Sequence, residues 1–213
     1  GDTPTGNPRG KIAWKFAEER AKPEVKGIPW KTGRTGAIKP VGTFDAVPLA
    51  GTQVRRATLH NIGFMFRNKI GIGTQVIVLK AGNIIPKVVG VAAGHVNYKD
   101  VSEVPHPANC PSCNHKTSIH KSMNNGEEMY ELMCENSSCV AKNIQGLIHY
   151  LDQVGVLGLG ESKITALVEG GVVRNIADFY KLTVDKAMTC DLSRRQALLA
   201  IARIHQIPST DKI

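Results

Sequence analysis

The spacing of hydrophobic positions changes about two thirds of the way along this chain. Between residues 27 and 104, apolar residues alternate with polar ones in short runs separated by glycines, a pattern typical of β-strands. After residue 142 they recur every three to four positions, as at Ile144, Leu147, Ile148 and Leu151, which is typical of helices. The sequence therefore predicts a multidomain α+β protein with its strands first and its helices last.

The strand-like part, residues 27–104, predicts a small β-barrel. Its strands are expected at residues 39–49, 53–59, 74–80 and 87–92, with one short helix at Ile62–Asn68. An OB-type barrel suits a basic domain of this size, because such barrels bind oligonucleotides on one open face. Other small barrels fit the same pattern.

The first 26 residues contain one further alternating run, residues 11–16. A lone strand is not stable in isolation, so we expect it to belong to a sheet supplied by a partner or by an N-terminal portion. The mixed acidic and basic residues 17–26 are interpreted as a linker.

The helical part, residues 143–213, predicts a helix, a glycine-containing hairpin and a second helix with Ile164, Leu167 and Val168 on one face. Gly158 and Gly160 could expose backbone N–H groups to a phosphate at the second helix's N-terminus, although a glycine-rich turn between core helices is an equally good interpretation. Further helices are expected at 177–182, 183–188 and 193–204, the last capped by Ser193. A second hairpin at residues 190–193 lacks the glycine pair, so phosphate binding is not expected there.

Four of the five cysteines fall within residues 105–142, as two short-spaced pairs: Cys110 and Cys113, then Cys134 and Cys139. Four thiolates in two knuckles are typical of a closed, structural zinc site, and a segment this poor in apolar residues needs such a cross-link. Two disulfides are the alternative, disfavoured by the lack of a secretory signal. The three histidines nearby are expected at the surface, and Cys190 is expected to be a buried apolar residue.

Positive charge is concentrated in the first half of the chain. The formal net charge is +9, and residues 1–100 hold 16 Lys and Arg against 6 Asp and Glu. Such a field attracts polyanions, nucleic acid above all, although a merely basic surface is the alternative. No apolar run approaches the roughly 20 residues of a membrane span, and no signal segment is seen, so we expect no membrane partner and a cytoplasmic location.

Six local features in one order carry a resemblance to a known family. The first is residues 8–16 (PRGKIAWKF); the next three are residues 33–36 (GRTG), 57–61 (ATLHN) and 80–86 (KAGNIIP). The four-cysteine segment and the hairpin near Gly158 follow. In this order they closely resemble the central and C-terminal part of the NAD-dependent DNA ligases of bacteria and their viruses, enzymes of DNA replication and repair.

The resemblance implies four regions: the end of the nucleotidyltransferase domain with a linker at 1–26, an OB-fold domain at 27–104, a four-cysteine zinc finger at 105–142 and part of a helix-hairpin-helix domain at 143–213. It also implies nick sealing in duplex DNA with NAD and Mg²⁺. The family's nucleophilic lysine lies in a Lys-x-Asp-Gly motif that these 213 residues lack. We therefore expect a separate adenylation portion or subunit, in a bacterium or an infected bacterial host cell.

Site residues follow from the resemblance position by position. Lys15 is expected to pair with the AMP phosphate, and Arg9 to lie near it or near the nick phosphate. The hairpin is expected to hold a phosphate through Gly158, Gly160 and Lys163. Contacts with the DNA backbone are expected on the barrel face, from Arg34, Thr58, His60, Asn61 and Lys80.

The chain departs from the family pattern at Gly10, Lys80 and Asn83, where the family usually has an aromatic residue, an arginine and an acid. At most two hairpins of the expected four fit, and the BRCT domain is missing, so other chains could complete the grip on DNA. A non-catalytic, zinc-containing DNA-binding protein derived from a ligase is the alternative function.

Overall fold

A computed structural model describes residues 19–81, 85–124, 126–156 and 159–206. Its elements follow the predicted order, with strands before helices, so the α+β class is confirmed. Among these residues no helix is both long and apolar enough to cross a bilayer.

Five strands build the first part: β1 (Arg20–Ala21), β3 (Ala37–Leu49), β4 (Thr52–Thr58), β5 (Gln75–Ala81) and β6 (Ile85–Ala93). Their order in the sheet is β1-β5-β6-β4-β3. All pairs are antiparallel except β4 with β6, and the long strand β3 carries an irregularity between Thr43 and Val47. Alternate residues point inward, so Val54, Val76, Val78 and Val88 form a buried core.

The segment interpreted as a linker closes this sheet into a barrel instead. Arg20 pairs with Leu79 of β5, Glu24 bridges Gln75, and Gly27 bridges Thr43 of β3 on the other side. The interpretation of this segment as a linker is therefore corrected for its described part: residues 19–26 belong to the barrel. Its pattern is in fact alternating, since Pro23 and Val25 are buried between exposed charged residues.

The helix α1 (Ile62–Asn68) has the bounds that the sequence predicts. The side chain of Asn61 accepts a hydrogen bond from the Phe64 N–H at 2.8 Å and begins the helix, and Lys69, with φ of 56°, ends it. Ile62 and Met65 are buried in the barrel core, which the short 3₁₀ helix η1 (Val101–Glu103) also joins.

A second sheet joins the barrel to the cysteine segment through β2 (Trp30–Thr32), β7 (Thr117–Asn124) and β8 (Glu127–Cys134). Strand β3 extends beyond the barrel and pairs with both β2 and β8, with Ile38 opposite Leu132. The hairpin β7–β8 was not predicted. Its outer strand is mostly exposed and its few apolar residues do not alternate along the strand, so hydrophobic periodicity gives no signal there.

Five helices follow the second sheet: α2 (Val140–Gln153), α3 (Glu161–Glu169), α4 (Ile176–Tyr180), α5 (Val184–Met188) and α6 (Arg194–His205). They share one apolar core that includes Leu151, Ile164 and Phe179. Ser193 caps α6 as predicted, in a reciprocal pair with Gln196. Cys190 is buried in this core, as expected.

Replacement by alanine is expected to have opposite effects on stability at two helical glycines. A Cβ at Gly63 of α1 would lie 3.0 Å from the Tyr130 N and 3.1 Å from the Tyr130 O of β8, whereas a Cβ at Gly146 of α2 would meet nothing within 4 Å. We expect Gly63→Ala to lower the free energy of unfolding by about 1–3 kcal/mol, because a strand backbone cannot give way. The matched control Gly146→Ala should raise it by about 0.5–1 kcal/mol, since alanine favours a helix.

Denaturant unfolding of the two variants checks this pair of predictions. Equal effects of the two substitutions would contradict the close approach of α1 to β8.

Candidate metal centre and nucleic-acid interface

Three structural elements bring the four cysteines of the predicted metal site together. Cys110 and Cys113 belong to a tight turn in which the Asn114 N–H donates to the Cys110 carbonyl, Cys134 ends β8, and Cys139 immediately precedes α2. Their Sγ atoms all lie within 4.8 Å of one another. The sequence-predicted cluster is therefore assembled in the structure.

The sulfur geometry fits a tetrahedral metal site. Cys110 Sγ lies 3.9 Å from Cys139 Sγ, and Cys113 Sγ lies 3.5 Å from Cys134 Sγ. A tetrahedron with metal–sulfur bonds of about 2.3 Å has sulfur–sulfur edges of about 3.8 Å. These distances exceed the S–S bond length of about 2.05 Å, so the four cysteines are free thiols in this structure. The four thiols could hold one metal ion and would leave it no open position.

The four thiols differ in acidity. Burial raises the pKa of Cys134 to about 12 and also raises that of Cys139. Burial also acts to raise the pKa of Cys110, but hydrogen bonds from the Thr32 hydroxyl and the Ser112 N–H outweigh this effect and lower the pKa to about 6. Because four thiolates this close repel one another, they ionise together only around a cation.

The cysteine cluster has a small apolar core, in which Ile38 and Leu132 are buried beside three of the cysteines. The chain approaches it closely at Gly36, which has φ of +89° and whose carbonyl accepts from the Cys134 N–H at 2.9 Å. A Cβ at this position would lie 2.6 Å from the Cys134 carbonyl oxygen. Glycine is therefore required where the barrel meets the cysteines.

Three predicted DNA contacts have their polar groups engaged within the protein. The Thr58 hydroxyl accepts from the His60 N–H, and Asn61 caps α1. His60 Nε2 lies 2.8 Å from the Val88 carbonyl oxygen, which requires that nitrogen to carry the proton, and its ring packs against Phe64. In this structure Thr58 ends β4 and residues 59–61 join it to α1, and the DNA contacts of these residues stay a prediction.

A cationic groove lies on the barrel surface beside this loop. Lys80, one of the predicted contacts, borders it and donates a hydrogen bond to the Thr52 hydroxyl. The other lining residues include Arg55 and Arg56, both exposed, which the sequence interpretation missed. None of the described residues that line the groove is acidic. The signal was two adjacent arginines within the strand predicted at residues 53–59.

The remaining predicted site residues lie elsewhere. Arg34 is exposed in the turn between β2 and β3. Gly160 precedes α3 without a side-chain cap, and Lys163 Nζ donates to the Asp191 carbonyl in the second hairpin. Lys15, Arg9 and Gly158 lie outside the described residues.

Comparison with known proteins gives a consistent result. Residues 22–99 match the family model described as the NAD-dependent DNA ligase OB-fold domain. A DNA ligase of Lactobacillus acidophilus is 34% identical over 195 residues, which are 90% of this chain and 28% of that protein. A DNA ligase of Methylacidiphilum infernorum is 38% identical over 186 residues, 86% of this chain and 26% of that protein.

The chain thus spans about a quarter of the length of these curated relatives. The barrel that the structure shows coincides with the matched domain, which confirms the predicted OB fold. Residues 22–99 are thus an NAD-dependent DNA ligase OB-fold domain, in a chain that is similar over most of its length to these DNA ligases.

Proposed function

We propose that this chain is the DNA-binding, site-completing part of an NAD-dependent DNA ligase that seals nicks in duplex DNA. The observation that carries the proposal is the coincidence of the matched OB domain with a groove bordered by Arg55, Arg56 and Lys80. Cationic side chains on an open barrel face bind the phosphate backbone without reading sequence, as a ligase requires.

The chemistry of the reacting phosphate is divided between this chain and another portion of the enzyme. The 213 residues contain no Lys-x-Asp-Gly, so we propose that the adenylated lysine lies outside them. NAD would supply the adenylyl group, and Mg²⁺ would offset phosphate charge in the complete enzyme. Lys15 and Arg9 stay the proposed contributions of this chain to that site.

The helical region is proposed to add a helix-hairpin-helix contact. Gly160 leaves the first N–H groups of α3 without a side-chain cap, and a Cβ there would meet nothing within 4 Å. A phosphate oxygen could therefore approach these N–H groups. Lys163 already bonds Asp191, so we assign it to positioning of the two hairpins as well as to phosphate binding.

We propose that the ion held by the four cysteines is structural zinc. Four soft thiolate ligands in a closed tetrahedron favour zinc, and none of the four positions is left for water or substrate. The ion would hold the cysteine turn, β8 and α2 together, and so would connect the barrel to the helical region.

Elemental analysis of the purified chain tests the metal assignment. We expect one zinc ion per wild-type chain and loss of most of it in Cys110→Ser, because a neutral hydroxyl is a poor ligand. The matched control Cys190→Ala should keep its zinc, since Cys190 lies in the core of the helical region. A zinc-free wild type, or equal losses in both variants, would contradict the assignment.

Salt dependence of binding tests the groove. With a nicked duplex, Arg55→Ala/Arg56→Ala should weaken binding and reduce the slope of log K against log salt concentration by about two, because two phosphate contacts are lost. Lys99→Ala is the control, since this exposed lysine lies in the same basic half but outside the groove. An unchanged slope in the double variant would remove the groove from the DNA interface.

A further inference from the structure

Thr32 is a buried polar residue of the matched OB-fold domain, residues 22–99, and it contacts the cysteine cluster. It lies at the end of β2, is 1% exposed, and its Oγ1 is 3.2 Å from Cys110 Sγ. The only other buried polar side chain among the described residues, Thr74, bonds backbone groups within the barrel. Thr32 therefore makes an unusual contact, one between side chains 78 positions apart.

The direction of this hydrogen bond follows from the chemistry of the ligand. A thiolate bound to a metal ion has no proton to donate, so the Thr32 hydroxyl must donate to Cys110 Sγ. Four thiolates around a divalent ion leave a net charge of about −2, and donors aimed at the sulfur atoms stabilise that charge. The Ser112 N–H, 3.5 Å from the same sulfur, is the local donor from the knuckle itself.

The strand that carries Thr32 contacts all three parts of the molecule. Trp30 packs against both the barrel core and the cysteine cluster. Lys31 Nζ lies 2.7 Å from the carboxylate of Glu161 at the start of α3, and Gln145 of α2 donates to the same carboxylate. A substitution at Thr32 would therefore affect the conformation of the whole strand β2.

We propose that Thr32 is a positioning residue of the metal centre, supplied by the OB-fold domain, and that its hydroxyl makes metal occupancy and the conformation of β2 depend on each other. The inference rests on the zinc site proposed above. It adds that the zinc finger is not autonomous, because one donor to its ligands comes from another domain.

Zinc affinity of hydroxyl-deletion variants tests the proposal in the full 213-residue chain. Thr32→Val removes the hydroxyl at nearly constant volume, and competition with a chromophoric chelator should show zinc binding about tenfold weaker than in wild type. Thr32→Ser keeps the hydroxyl and should bind zinc as wild type does. The Co²⁺-substituted Val variant should also show a shifted thiolate-to-cobalt charge-transfer band, with the Ser variant unshifted.

The outcomes separate this inference from the metal assignment on which it rests. If the wild-type chain binds no zinc, the metal assignment is wrong. If wild type and Thr32→Val bind zinc with equal affinity and have the same cobalt spectrum, only the role of Thr32 is overturned. The same holds if Thr32→Ser binds zinc as weakly as Thr32→Val, because the loss would then come from packing and not from the hydroxyl.

Hydrogen exchange of the wild-type chain gives a second measurement that needs no variant to fold. Zinc should slow amide exchange in β2 more than in β6, which lies outside the contacts of the cysteine cluster. Equal responses of the two strands would overturn the coupling.

Discussion

The convergence of four thiols on one point is the constraint on which the middle of this molecule depends. The segment from Cys110 to Cys139 has few apolar residues of its own. Among the described residues, Ile38 and Leu132 are the buried apolar partners of the cysteines, with Trp30, Ile119 and Ala141 packed half-buried against them. Burial on that scale stabilises little, so the thiols themselves must supply the cross-link that orders the two knuckles. The path of the chain from the barrel into the helices is then determined, because Cys134 ends β8 and Cys139 immediately precedes α2.

This arrangement gives the proposed DNA-binding function a rigid frame. Strand β3 belongs to the barrel sheet at one end and pairs with the cysteine hairpin at the other, and Gly36 and Gly63 allow the two parts to approach at backbone distance. Side chains that bind the phosphate backbone position the DNA without reading its sequence. The cationic groove and the start of α3 are therefore connected through short backbone contacts.

Much of the fold was predictable because local signals agreed with it. The alternation in β3 to β6, the capped helix α1 and the spacing of the cysteines are properties of neighbouring residues. The closure of the barrel by residues 20–27 was missed because the alternation there is short. Pro23 and Val25 are its buried positions, and the residues between and beside them are exposed lysines and a glutamate. The hairpin β7–β8 was missed because pairing with β3 stabilises it, and such pairing has no local signature.

The candidate site shows the same division between local and distant information. The spacing of the cysteines identified the four thiols that the structure brings together. Thr58, His60 and Asn61, for which the family resemblance implies DNA contacts, have polar groups bonded to backbone within the barrel or to one another, and their DNA contacts stay a prediction. Thr32 could not be found from sequence, because its partner Cys110 is brought beside it only by the pairing of β2, β3 and β8.

The central claim is that this chain completes a ligase whose adenylated lysine lies elsewhere. The most direct measurement mixes the chain with a separately produced adenylation portion carrying Lys-x-Asp-Gly, NAD and Mg²⁺, and follows sealing of a nicked duplex. The account predicts sealing only when both proteins are present. Tight binding of the nick by this chain with no gain in sealing would contradict it and favour a non-catalytic DNA-binding protein.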